Sequence, residues 1–224
     1  MFDKARIRWI FFDIGETLVD ETKPIRDILE QFIQASHQLG YSFQLQEVEQ
    51  AMMYYHSQLC EHPMREVMSQ LVPSEKHRAE IRQYMKYKKD LEEPFPEARE
   101  VLQQLTGLFQ MGIIANQNAG TVERLKRYGL LEYFSIVCSS AEDGITKPDP
   151  QFFELALERA KCDAQHAVMI GDRLDNDIHP AKRLGMQAIW IKQGLAREQK
   201  IMDPLTAPDL VIHGLKELVG ILKG

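Results

Sequence analysis

The chain has 224 residues, 44% of them hydrophobic and 27% charged, with a formal net charge of −6. That balance excludes disorder and describes a globular protein long enough for one domain, or for a core carrying a smaller inserted one. The acidic excess argues against nucleic acid or an anionic membrane surface as partner, yet it leaves room for a small anionic ligand whose charge a bound cation offsets.

The first apolar run covers residues 7–12 (Ile-Arg-Trp-Ile-Phe-Phe) and stops at Asp13-Ile14-Gly15. It is too short for a signal peptide or a membrane span, and no later run reaches the roughly 20 apolar residues a spanning helix needs. It reads instead as a buried strand that delivers Asp13 to a loop. Residues 20–92 then show no strand pattern. Amphipathic helices are expected over 24–39, 46–59, 64–71 and 75–91, with Met and Tyr side chains as their packing surface. Pro94-Phe95-Pro96 punctuates the end of this stretch.

Beyond it the rhythm alternates. Residues 111–115 read as a strand ending at Asn116, and residues 121–128 as a helix stopped by Gly129. A short apolar run follows at 134–137. Asp149-Pro150 has the chemistry of a helix start, with Asp as the cap and Pro in the first turn. Residues 167–170 form a further apolar run, ending at Gly171-Asp172, and a helix over 175–184 closes at Gly185. Runs at 187–191 and 210–212 complete the set. Strands alternating with helices of this length predict an α/β fold with a doubly wound, parallel, Rossmann-like sheet. The expected division is a core of residues 1–19 plus 93–224 and an all-helical cap of residues 20–92. A site belongs beyond the carboxyl ends of the strands.

Four polar elements follow strands or sit in loops, in a consistent order: Asp13 with Gly15, Glu16 and Thr17; Asn116; Lys147-Pro148; and Gly171-Asp172 with Asp177. Singly each has an ordinary reading, as a turn, a loop hydrogen bond, a solvated lysine or acids favoured at a helix start. Jointly they provide a carboxylate nucleophile, groups for an anion, and oxygen ligands for a hard divalent cation. Cys60, Cys138 and Cys162 are too few and too scattered for a disulfide framework, and a reducing cytoplasm is the expected home. The seven histidines show no zinc spacing, and the glycines form no dinucleotide fingerprint.

This order of motifs resembles the haloacid dehalogenase superfamily. Asp13, Thr17 and Leu18 match its first motif, Asn116 stands in the second, Lys147 in the third, and Asp172 with Asp177 in the fourth. The resemblance implies a hydrolase, most commonly a phosphatase of small phosphorylated metabolites. It implies Asp13 as the nucleophile, and Asp13, the Gly15 carbonyl, Asp172 and Asp177 around Mg²⁺. Lys147 and Asn116 are then catalytic, and together with Gln117 they bind the transferred group. No nucleic acid or membrane partner is expected, and the oligomeric state stays open.

Two positions depart from the family pattern. Gly15 stands where the phosphatases carry a second Asp that protonates the leaving group, and Ala115 stands where a hydroxyl is usual. The proton donor is left between Glu16 and a bound water. Two alternatives follow: a catalytically impaired relative that binds a phosphorylated ligand or a protein partner, or a dehalogenase- or phosphonatase-type hydrolase of carbon–halogen or carbon–phosphorus bonds.

Overall fold

The computed structural model describes residues 2–223. The chain divides into two compact units, residues 1–20, 93–193 and 201–224 in the first, and residues 21–92 and 194–200 in the second.

The first unit is built on a six-stranded sheet. Its strands are β1 (Trp9–Phe12), β4 (Gln110–Ala115), β5 (Ile136–Ser139), β6 (Ala167–Gly171), β7 (Gln187–Ile191) and β8 (Leu210–Ile212); β2 (Val19–Asp20) and β3 (Glu93–Pro94) pair separately as a short antiparallel ribbon. The order is β5-β4-β1-β6-β7-β8, with every pairing parallel. The helices of this unit are α5 (Ala98–Leu105), α6 (Thr121–Arg127), α7 (Ser140–Asp143), α8 (Pro150–Ala160), α9 (His179–Arg183) and α10 (Glu217–Lys223).

The central strand shows why this segment folds as it does. Its side chains alternate between two cores: Ile10 and Phe12 join Val101, Leu102, Leu125 and Leu218, while Phe11 joins Phe152, Phe153, Ala156 and Ala181. A strand covered on both faces needs apolar residues at every position, so the run is continuous and not alternating. Gly112 on β4 has a steric reason as well, because a Cβ there would stand 2.8 Å from the Phe11 ring.

The chain leaves β1 to one side for β4 and β5, then returns to the other side for β6. That reversal falls at β1, and the carboxyl ends beside such a switch point are the usual ligand position in open α/β sheets. Asp13 is held there as an extra rung, its N–H donating to the Ile170 carbonyl at 2.9 Å.

The second unit contains α1 (Thr22–Gln38), α2 (Leu45–Ser57), α3 (Pro63–Leu71) and α4 (Glu75–Tyr84). Leu29, Phe32, Val48, Val67, Met68, Val72 and Ile81 form its core. The fourth helix is shorter than the periodicity over 75–91 predicts. Gln31 explains the stop: its side chain accepts from the Lys86 N–H at 2.7 Å and donates to the Lys86 carbonyl at 3.0 Å, so that peptide serves α1 instead of extending α4. Residues 194–200 also belong to this unit. Leu195 packs against its core, Arg197 reaches the Met53 sulfur at 3.9 Å, and Gln199 donates to the His56 carbonyl at 3.2 Å. No sequence pattern separates that segment from its flanks. No helix among the described residues is long and apolar enough to cross a membrane.

Candidate active site

At the ends of β1 and β6 three carboxylates converge. Asp13, Asp172 and Asp177 are all buried, and one oxygen from each lies within 4.8 Å of the others. Lys147 is buried with them, its Nζ donating to Asp13 Oδ1 at 2.5 Å and to Asp177 Oδ1 at 2.5 Å. The Arg173 N–H donates to the other Asp177 oxygen at 3.0 Å, and the Trp190 indole fixes the strand end by donating to the Asp172 carbonyl at 2.7 Å.

The local backbone explains how Asp177 reaches this cluster. Residues 174–178 form one π-turn ahead of α9, with the Asp177 and Ile178 N–H groups both directed at the Arg173 carbonyl. The expected helix over 175–184 is therefore regular only from His179 onward. The carboxylate then lies against Gly171, where a Cβ would sit 2.4 Å from it.

Burial and charge work against each other here. Taking an acid out of water favours its neutral form, and like charges at short range do the same. Asp172 is accordingly pushed well above the ordinary carboxylate range, first by burial and then by repulsion from Asp177 and Asp13. Asp177 is pushed up to about 6 by burial, although the Lys147 ammonium opposes the rise. Burial alone would lower Lys147, but the combined pull of Asp13 and Asp177 outweighs it and raises the ammonium above its usual value. Three buried carboxylates gather beside one buried ammonium, which meets Asp13 and Asp177, while the adjacent Arg173 guanidinium pairs with Asp175. The donor set is all oxygen, acidic and short of positive charge, which fits a hard divalent cation.

The remaining expected residues take different positions. Gly15 forms a single bridge with Val19. Glu16 beside it is buried and has φ of 52°, a left-handed conformation that costs an L-residue energy. Its backbone is held on both sides: the N–H donates to the Val19 carbonyl at 2.7 Å, and its carbonyl accepts from Gln193 Nε2 at 3.1 Å. Its negative charge adds the smallest part of the upward push on Asp172. Asn116 is occupied by the backbone of Lys147, through bonds at 2.8 and 2.7 Å. Gln117 is turned to Arg124, whose guanidinium donates to its side-chain oxygen, while Ser140 holds its main chain. Sequence reasoning missed Gln193, which lies 177 residues from Glu16 and contributes through a side chain to a backbone carbonyl, a pairing no local pattern announces.

Comparison with known proteins points one way. A family model described as a haloacid dehalogenase-like hydrolase matches residues 7–185. Glyceraldehyde 3-phosphate phosphatase of Pyrococcus abyssi is 32% identical over 197 residues, covering 84% of this chain and 82% of that protein. Among solved structures, a HAD phosphatase from Thermococcus onnurineus superposes with a TM-score of 0.65 at 24% identity, over 97% of this chain and 99% of that one. A 2-haloacid dehalogenase from Pseudomonas syringae superposes with a TM-score of 0.61 at 28% identity, over 97% and 98%.

Proposed function

The chain belongs to the haloacid dehalogenase-like hydrolase family, and from that premise we propose that it is a Mg²⁺-dependent phosphatase of a small phosphorylated metabolite. One observation carries this reading: three buried carboxylates cluster together, and the single buried ammonium beside them reaches only two. Cleaving a carbon–halogen bond needs one carboxylate and no metal. A surplus of buried acid is costly unless a cation joins it, and that cation is then in place for a phosphoryl group.

In the proposed reaction Asp13 attacks phosphorus, a phosphorus–oxygen bond forms to its carboxylate, and the bond to the leaving alkoxide breaks. Lys147 holds Asp13 in position and neutralises charge on the transferred group. The alkoxide takes a proton, water then attacks phosphorus, and inorganic phosphate leaves with Asp13 restored. Gly15 has no side chain to move that proton. Glu16 is the neighbouring buried carboxyl and is proposed as its carrier; such a group is worth roughly 10²–10⁴-fold in rate. Mg²⁺, held by Asp13, Asp172, Asp177 and the Gly15 carbonyl, would supply Lewis-acid stabilisation of a phosphoryl oxygen. The domain roles proposed are a catalytic α/β unit and a helical cap that selects substrate. The few, scattered cysteines suit a cytoplasmic setting.

The test is phosphate release from an aryl phosphate and a panel of small phosphate esters, including the glyceraldehyde 3-phosphate named for the archaeal relative. Turnover is expected with Mg²⁺, is lost with EDTA, and vanishes in Asp13→Asn. A second reading follows from Gly15 and Ala115: a relative that binds a phosphorylated ligand without turning it over. Silence in the native chain with activity in Gly15→Asp would favour it. Dehalogenation that persists in EDTA would favour the carbon–halogen alternative.

A further inference from the structure

Lys147 lies between α7 and α8, outside every strand, and yet its ammonium must stand between two buried carboxylates. What fixes it is the side chain that follows β4. Asn116 Nδ2 donates to the Lys147 carbonyl at 2.8 Å, and Asn116 Oδ1 accepts from the Lys147 N–H at 2.7 Å. One planar carboxamide thus meets the donor and the acceptor of a single residue, as a neighbouring strand would. Ser and Thr present one atom where two are needed, and Asp presents acceptors only. The sequence suggests that Asn116 grips the transferred group directly, but its oxygen and one of its amide hydrogens are committed to this two-point bond.

We propose that Asn116 is a positioning residue for Lys147: it ties the loop carrying the lysine to the end of the central sheet, and so sets where the ammonium meets Asp13 and the substrate. The bond itself stands apart from the phosphatase reading; its kinetic consequence rests on that reading. Displacing a catalytic group by an ångström costs on the order of 10²-fold, so Asn116→Ala should lower kcat/KM for an aryl phosphate by roughly 10- to 100-fold while the melting curve stays cooperative.

A double-mutant cycle separates positioning from direct contact. The affinity for inorganic phosphate, with Mg²⁺ present, is measured by calorimetry for native protein, Asn116→Ala, Lys147→Met and the pair. If Asn116 acts through Lys147, the pair binds no more weakly than Lys147→Met alone. Losses that multiply, or an Asn116→Ala variant within twofold of native, would overturn the proposal. So would rescue by Asn116→Ser, whose hydroxyl can reach a phosphoryl oxygen but cannot span the Lys147 peptide. The near-isosteric Asn116→Asp covers the case in which alanine fails to fold; it should bind phosphate more weakly than native protein, and equal affinity would count against the tether.

A readout independent of catalysis is acylation of Lys147 by an amine reagent, followed by mass spectrometry. Native protein should protect Lys147, and Asn116→Ala should label faster. Faster labelling with no phosphate binding in any variant would sink the phosphatase reading and keep the tether. Unchanged labelling beside normal native turnover would do the reverse.

Discussion

A Cβ on Gly171 would lie 2.4 Å from the carboxylate of Asp177, six residues further along the chain. The two residues occupy one space: the acid reaches the Lys147 ammonium because the strand end beside it carries no side chain. Gly171→Ala must therefore displace the carboxylate or the strand. Turnover should fall by about 10²-fold, and the concentration of Mg²⁺ needed for half-maximal activity should rise. Steady-state rates across a Mg²⁺ titration check both. A variant with native Mg²⁺ dependence would mean that Asp177 has no part in holding the metal.

The acid cluster gives the metal-free protein a defined pH response. Asp172 and Asp177 both titrate above the ordinary value of 3.8 when folded, Asp177 at about 6. A group whose folded pKa is raised contributes stability that is fully present below the unfolded value and is lost as pH rises through the folded one. In EDTA, melting temperature should therefore drop as pH climbs from about 4 through 6. Mg²⁺ should restore it at neutral pH, by mass action on the folded state. Asp172→Asn should melt higher than native protein in EDTA at pH 7.5 and lose the stabilisation by Mg²⁺.

Glu16 combines a buried carboxyl with a left-handed backbone. Strain of that kind persists where the surroundings impose it, and it concentrates at functional positions. Comparing Glu16→Gly with Glu16→Ala isolates the backbone contribution, since both lose the carboxyl. The glycine variant should be the more stable by about 1 kcal/mol in denaturant unfolding. Both variants, and Glu16→Gln, should lose roughly 10²-fold or more of kcat if this carboxyl moves the proton. Full activity in Glu16→Gln would assign that proton to water.

Cys138 lies fully buried under α8, its thiol pushed up by burial against the opposing pull of Arg159, whose Nη1 approaches the sulfur at 3.3 Å. A thiol reagent reacts through the thiolate and needs access. In native protein Cys60 and Cys162, both only half-buried, should label while Cys138 waits for denaturant. Labelling of Cys138 at the same rate as the others would show that the sheet opens locally.

Much of this architecture is visible in the chain. Residues 187–191 and 210–212 are strands at the expected positions because continuous apolar runs bounded by polar loops have few other uses in a sheet covered on both faces. The β2–β3 ribbon is not visible, since two residues a side carry no period. The early stop of α4 and the π-turn before α9 are equally hidden. In each a distant partner or a shared carbonyl acceptor overrides a pattern that reads as helix. At the site, residue type and strand-end position single out Asp13 and Asp172, while Lys147 and Asp177 stand out only through the joint order of the motifs. The partner of Asn116 escapes such reasoning because it is a backbone peptide 31 residues away.

The seven residues from Gly194 to Lys200 have a consequence for modularity. Because they pack with the helical unit, the chain passes between its two units after Asp20, after Glu92, after Gln193 and again after Lys200. A segment inserted by recombination at a single point needs only two such passages and can be lifted out as a cassette. This one cannot: a transplant of residues 21–92 would leave behind Leu195, which packs on its core, and Gln199, which holds the carbonyl of His56. The two stretches of the helical unit are therefore expected to vary together, and exchanging that unit between relatives would require moving two separate pieces of sequence at once.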